Sequence, residues 1–204
     1  MTIARAAAAA AAAAFLAGSG GARAEDASGA AAEPPVAAEQ ELGAALGVEA
    51  GGRVSPGGFH LLGNYLYQLS DEDWFDTGLS ITIGGGAPGC FRDRENDFLC
   101  DHGIGRGFAA EAFAGARRFF PGQGAFAPYV RAALGARLVS FRGDEVTGFA
   151  VPVHLGGGIR ARVADGVAVV AGSELRLGVG WFDHELGAEP HITFAVHAGV
   201  DFAL

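Results

Sequence analysis

Residues 191–204 read HITFAVHAGVDFAL. Ile192, Phe194, Val196, Ala198, Val200, Phe202 and Leu204 share one parity, while His191, Thr193, His197 and Asp201 share the other, with small residues between them. Successive side chains of a strand point to opposite faces, so this stretch predicts a strand with one wholly apolar face and one polar face. Such a strand needs an apolar medium on one side and a hydrogen-bonded neighbour at each edge. A closed barrel in a membrane supplies both.

The same period of two runs back through the chain to Leu42. Strands are expected over Leu42–Ala50, Phe59–Leu69, Thr77–Ile83, Arg106–Phe120, Ala125–Phe141, Gly148–Val163 and Val167–Phe182, which with the terminal strand makes eight. Leu62 and Leu66 break the alternation of the second, and Phe113 and Phe119 fall on the polar side of the fourth. Joints at 51–58, 87–105, 142–147 and 183–190 alternate with joints at 70–76, 121–124 and 164–166, and two of the latter three are tight turns. Short turns on one side and longer loops on the other are the asymmetry of outer-membrane barrels, with the turns in the periplasm. Phe59, Phe108, Phe149 and Trp181 lie near the loop ends of the apolar faces, and Tyr67, Phe120, Phe126 and Phe202 near the turn ends. Two aromatic girdles around an aliphatic band match the two interfaces of a bilayer. A soluble ligand-binding barrel would reverse the faces, with its charges outside.

The 204 residues suit one domain. No stretch after the N-terminus is long and apolar enough for a membrane-spanning helix. All 14 basic residues are Arg, and 23 acidic residues leave a net charge of −9, which argues against a nucleic-acid partner. Arg5, the apolar run 6–18 and the Ala22-Arg23-Ala24 site read as a signal peptide over residues 1–24, implying Sec-type export. Its removal, taking Arg5 and Arg23, moves the net charge from −9 to −11. Residues 25–40, rich in Ala, Glu and Pro, read as a disordered periplasmic leader, and the barrel as 41–204.

The stretches PYVRAALGARL (128–138), HLGGGIRARVADGVAVVAGSELRLGVG (154–180) and HAGVDFAL (197–204) carry a resemblance. The chain is similar to the OmpA/OmpX-type outer membrane β-barrel domain family, the small eight-stranded barrels of Gram-negative bacteria. The resemblance implies an all-β, eight-stranded antiparallel up-and-down transmembrane β-barrel in the bacterial outer membrane, in contact with lipid and lipopolysaccharide. It also implies that His197, Gly199, Phe202 and Leu204 form the terminal assembly signal read by the barrel-assembly machinery; Leu204 stands where an aromatic is usual.

Inward parity gathers Glu49, Glu111, Glu174 and Asp201 with Arg117, Arg131, Arg137, Arg160, Arg162 and Arg176. The interior of an eight-stranded barrel is filled by side chains, and buried charges must be compensated. A carboxylate–guanidinium network that plugs the lumen is therefore expected; the alternative is a narrow gated pore in which a Glu–Arg pair such as Glu174 with Arg176 or Arg160 changes partners. His60, His154 and His197 also point inward. No serine stands beside them in the arrangement of lipid-deacylating barrels, and no His, Cys or acidic spacing matches a zinc site, so no catalytic residue, metal or cofactor is assigned.

Cys90 and Cys100 both fall in the longest loop, 87–105, with nine residues between them. In an oxidising compartment such a pair reads as a loop-closing disulfide. The loop would then be a stiffened surface knob offering Phe91, Arg92, Arg94 and Phe98 to a ligand, or a protected loop with no partner. The expectation is a non-enzymatic membrane scaffold or surface-interaction protein, with a narrow pore and, further behind, a lipid-modifying enzyme as alternatives.

Overall fold

A computed structural model describes residues 39–204 except 53, 86–88, 93–97, 102–106, 123–124, 142–145 and 184–186; at 89–92 and 98–101 it describes the backbone only. The signal peptide and all but the last two residues of the expected leader lie outside the described residues.

The strands are β1 (Gln40–Ala50), β2 (Gly58–Gln68), β3 (Asp73–Gly84), β4 (Gly89–Arg92), β5 (Phe98–Asp101), β6 (Gly107–Phe119), β7 (Phe126–Phe141), β8 (Val146–Ala164), β9 (Val167–Phe182) and β10 (Gly187–Ala203). Eight of them form a closed barrel in the order β1-β10-β9-β8-β7-β6-β3-β2, and every pair is antiparallel. The stretch 191–204 supplies the closing seam, where β10 pairs with β1 from Glu41↔Ala203 to Ala50↔Phe194. Closure leaves no free edge along the paired length, the condition for placing backbone in hydrocarbon. β4 and β5 form a separate two-stranded sheet within the longest loop.

The faces are inverted relative to a soluble barrel. Leu46, Leu79, Leu134 and Leu138 are 54–65% exposed on the outer wall, whereas Arg137 and Arg176 inside are at most 1% exposed. No water-soluble domain is stable with its aliphatic side chains outside and its guanidinium groups inside, so the wall is a lipid-facing one. Phe59, Phe108, Phe149 and Trp181 ring its loop end, and Tyr67, Phe75, Phe126 and Phe202 its turn end, all exposed.

Three expectations are corrected. The joint expected at 70–76 is only 69–72, because β3 begins at Asp73. Its alternation runs on through Trp74 and Asp76 inside and Phe75 outside, which two acidic residues disguise as a turn. The last strand begins at Gly187, not His191, and runs through Pro190. Beyond Phe194 it pairs with β9 alone, and a residue without N–H is tolerated on that unpaired edge. The loop expected at 87–105 contains the β4–β5 hairpin, a pairing too short for a period-two signal.

Leu62, Leu66, Phe113 and Phe119, the residues that break the alternation, point inward and are buried. They belong to apolar clusters of the lumen. One, near the loop end, gathers Val54, Ala109, Val139, Phe141, Val146 and Phe182; a second, at mid-height, gathers Ala45, Leu62, Phe113 and Ala133; a third, near the turn end, gathers Leu66, Trp74, Phe119 and Tyr129. The lumen thus holds a charged network that shares its mid-height with one apolar cluster and is closed at each end by another.

Candidate functional site

The polar middle is built by residues two apart on each strand, so every inward position adds one side chain to a shared column. Glu49 of β1 contacts Nη2 of Arg137 at 2.7 Å and Nη1 of Arg176 at 2.8 Å. It also accepts a hydrogen bond from the hydroxyl of Thr82 at 2.7 Å. Because that hydroxyl donates to Glu49, it accepts from Nδ1 of His60 at 3.1 Å, which leaves Nε2 of His60 to face Nη2 of Arg176 at 3.2 Å. His60 is held as one tautomer by its neighbours.

Glu174 is likewise shared among three cationic groups. It pairs with Arg131, accepts from Nε of Arg176 at 2.7 Å and lies 3.1 Å from Nδ1 of His154. The other ring nitrogen of His154 lies 2.5 Å from Oε1 of Glu111, so both ring nitrogens face carboxylate oxygens. Glu111 in turn meets Nη1 of Arg137 at 3.3 Å. Toward the turn end, Asp76 lies 2.9 Å from Nη2 of Arg117 and from Nε of Arg131, and Arg117 reaches Asp201 at 3.7 Å. Arg160 pairs with Glu41 at the mouth.

The inward rings serve this network. The guanidinium of Arg131 lies 4.2 Å from the ring centroid of Phe113, that of Arg117 4.9 Å from Tyr129 and that of Arg160 5.2 Å from Phe119. A flat cation over a ring face is stabilised where no water reaches it. This is why phenylalanines stand on the polar parity.

Of the expected interior residues, Glu49, Glu111, Glu174, Asp201, Arg117, Arg131, Arg137 and Arg176 are buried together, and Arg160 is half-buried at the mouth. Arg162 is not in the network; it is exposed at the turn-end opening, one strand repeat beyond Arg160. His60, His154 and His197 are all buried inside. Gly199 has no room for a side chain, since a Cβ there would lie 2.2 Å from the carbonyl oxygen of Ala44; Phe202 and Leu204 face outward.

Sequence reasoning missed Glu41, Asp76 and Ser55. Glu41 and Asp76 lie two residues before inward glycines, Gly43 and Gly78, and extending each strand by one repeat would have found them. Ser55 had no such signal. It comes from the loop after β1, and its Oγ lies 2.7 Å from Nδ1 of His191, 136 residues away in sequence. Both residues are fully buried. A hydroxyl so enclosed meets no substrate carbonyl, and the pair serves to pin the loop against β10. Among the described residues no group of three or more His, Cys, Asp or Glu side chains could hold a metal ion.

No family model and no curated protein matches the sequence. Among solved structures, Neisserial surface protein A aligns over 83% of this chain and 99% of its own, with a TM-score of 0.57 at 16% identity. The fold is that of the small OmpA/OmpX-type barrels. The N-terminal β-barrel domain of Pseudomonas aeruginosa OprF aligns over 82% of this chain and 99% of its own, with a TM-score of 0.49 at 14% identity. The OmpA/OmpX-type architecture accounts for the even strand number, the three short turns and the seam made by the first and last strands.

Proposed function

We propose that this chain is a non-enzymatic protein of the bacterial outer membrane, a plugged barrel whose task is to hold its loops at the cell surface. The observation that carries this reading is the lumen. Glu49, Glu111 and Glu174 are each bound by two or more cationic groups, and apolar clusters lie above and below them. A wall of eight strands encloses just enough volume for such a filling. In this reading the short turns and both ends of the barrel domain face the periplasm after Sec-type export. Lipid and lipopolysaccharide cover the outer wall, and the β4–β5 hairpin is offered to a surface ligand. The barrel-assembly machinery reads the terminal stretch through Phe202 and Leu204.

Purified barrel in planar bilayers tests it. No conductance steps are expected. Steps that vanish when Glu174 is replaced by Gln would overturn the plug in favour of the narrow gated pore, a reading favoured by one feature: Glu174 is held by Arg131 and Arg176 at once and has two cations between which to move.

A further inference from the structure

At the loop end β10 outruns its neighbour across the seam. It begins at Gly187, but β1 stops at Ala50, which faces Phe194, so residues 187–193 are paired on the β9 side alone. A strand edge left open in a barrel wall has to be covered. The chain that covers it is not a strand. After β1 the sequence reads GGRVSPGG (51–58), a short segment between two pairs of glycines. Gly52 lies against the open edge, where a Cβ would be 2.9 Å from the carbonyl oxygen of Ile192. Val54, Ser55, Pro56 and Gly57 are buried, whereas connecting segments normally run over the surface. Val54 fills the chamber formed by Ala109, Val139, Phe141, Val146 and Phe182 of four strands. Pro56 abuts β6, since a Cβ on Gly107 would lie 2.7 Å from its own Cβ. The segment therefore closes the notch beside β10 and the chamber under the loop end together.

It is held differently from the rest of the lumen. The ions of the middle stand on strands whose ladders fix them, but Val54–Gly57 belongs to no ladder. Among the described residues its backbone bonds are Gly57 N to Gly85 O at 2.7 Å and a turn bond from Ser55 N to Gly52 O at 3.4 Å. Its polar side-chain tether is the contact of 2.7 Å between Oγ of Ser55 and Nδ1 of His191. A segment with few backbone bonds opens at lower cost than the ladders around it. Glycine at both ends supplies the backbone freedom, and Gly58 already has a φ of 124°.

We propose that Val54–Gly57 is a hinged door, latched by Ser55 on His191, that swings out about its flanking glycine pairs and opens the apolar chamber while the ion network below stays shut. The inference goes beyond the scaffold reading, which needs no moving part in the lumen.

The test uses the full mature chain with Cys90 and Cys100 replaced by Ala, folded in detergent micelles and checked by the mobility of the unboiled band. Val139→Cys places a thiol in the chamber, and Ser80→Cys, equally buried, places one on the inward face of β3 deeper in the lumen. Each is exposed to a charged, water-soluble methanethiosulfonate reagent. V139C should be labelled slowly and S80C not at all. S55A and H191L should each speed the labelling of V139C by about tenfold, the order that a single buried hydrogen bond carries. The S55A/H191L pair should label no faster than either alone, because both remove the same contact. Three outcomes overturn the door: a V139C thiol that stays unlabelled even with S55A, effects of S55A and H191L that multiply, or labelling of S80C at the rate of V139C, which would mean that the whole barrel opens.

Discussion

His154 of β8 and Glu111 of β6 meet at 2.5 Å although β7 runs between their strands. They reach each other over Gly135, which has no side chain to stand in the way. A Cβ on Gly135 would lie 2.1 Å from Oε1 of Glu111 and 2.7 Å from Nε2 of His154. The β7–β8 ladder is also interrupted there, between Leu134↔Val153 and Arg137↔Ala150, where Pro152 has no N–H to give.

Gly135→Ala is therefore expected to push the two groups apart and to lower stability by about 1–3 kcal/mol, the usual cost of inserting a methyl group into filled space. Urea unfolding followed by tryptophan fluorescence measures it. Gly63→Ala is the matched control: a Cβ there meets nothing within 4 Å, and the variant should unfold at the wild-type midpoint or slightly above it.

Glu49→Ala removes the carboxylate that both Arg137 and Arg176 contact, and the two guanidiniums stay where water does not reach them. Leaving buried charge uncompensated costs about 3–5 kcal/mol. The variant should fold in reduced yield or lose its heat-modifiable band at lower temperature. An unchanged midpoint would mean that the column is hydrated and that Glu49 is not needed to hold the arginines.

On the outer wall the preference reverses. Leu134 is 54% exposed at mid-strand, three residues from the buried Arg131. Leu134→Arg should cost about 2–4 kcal/mol when folding is measured in lipid vesicles, as for basic residues near the bilayer midplane. Leu134→Ile should be nearly neutral. If the arginine variant folds as well as wild type into vesicles, the face does not meet hydrocarbon.

The hairpin makes a separate prediction. Its register sets Cys90 directly opposite Cys100. Facing residues of an antiparallel pair have Cα atoms about 4.5–5.5 Å apart, inside the window of about 4.4–6.8 Å that a disulfide needs. Protein from an oxidising compartment should take up no thiol reagent when denatured and two equivalents after reduction. Because β4 and β5 belong to a different sheet from the barrel, the Cys90→Ala/Cys100→Ala double variant should keep the barrel's urea midpoint. Two reactive thiols before reduction would refute the bond.

How much of this was legible in the chain follows from what each signal needs. Period two is local, so eight strands, their inward and outward faces and the two aromatic girdles could be read without any contact information. It failed where local chemistry resembled something else, as at Asp73–Asp76, where acidic residues looked like a turn; at Phe113 it placed the ring on the inward side correctly, but the reason, Arg131 against the ring, came only with the tertiary structure.

The sequence by itself determined that charges line one face and aliphatic groups the other, because side-chain direction alternates whatever the strand pairs with. Only the tertiary structure decided the partners: that Glu174 is shared by Arg131, Arg176 and His154, that Ser55 of a loop seals against His191, and that Arg162 is left over at the mouth. Those depend on register around a closed ring, where one strand's shift changes every neighbour, and no local pattern encodes it.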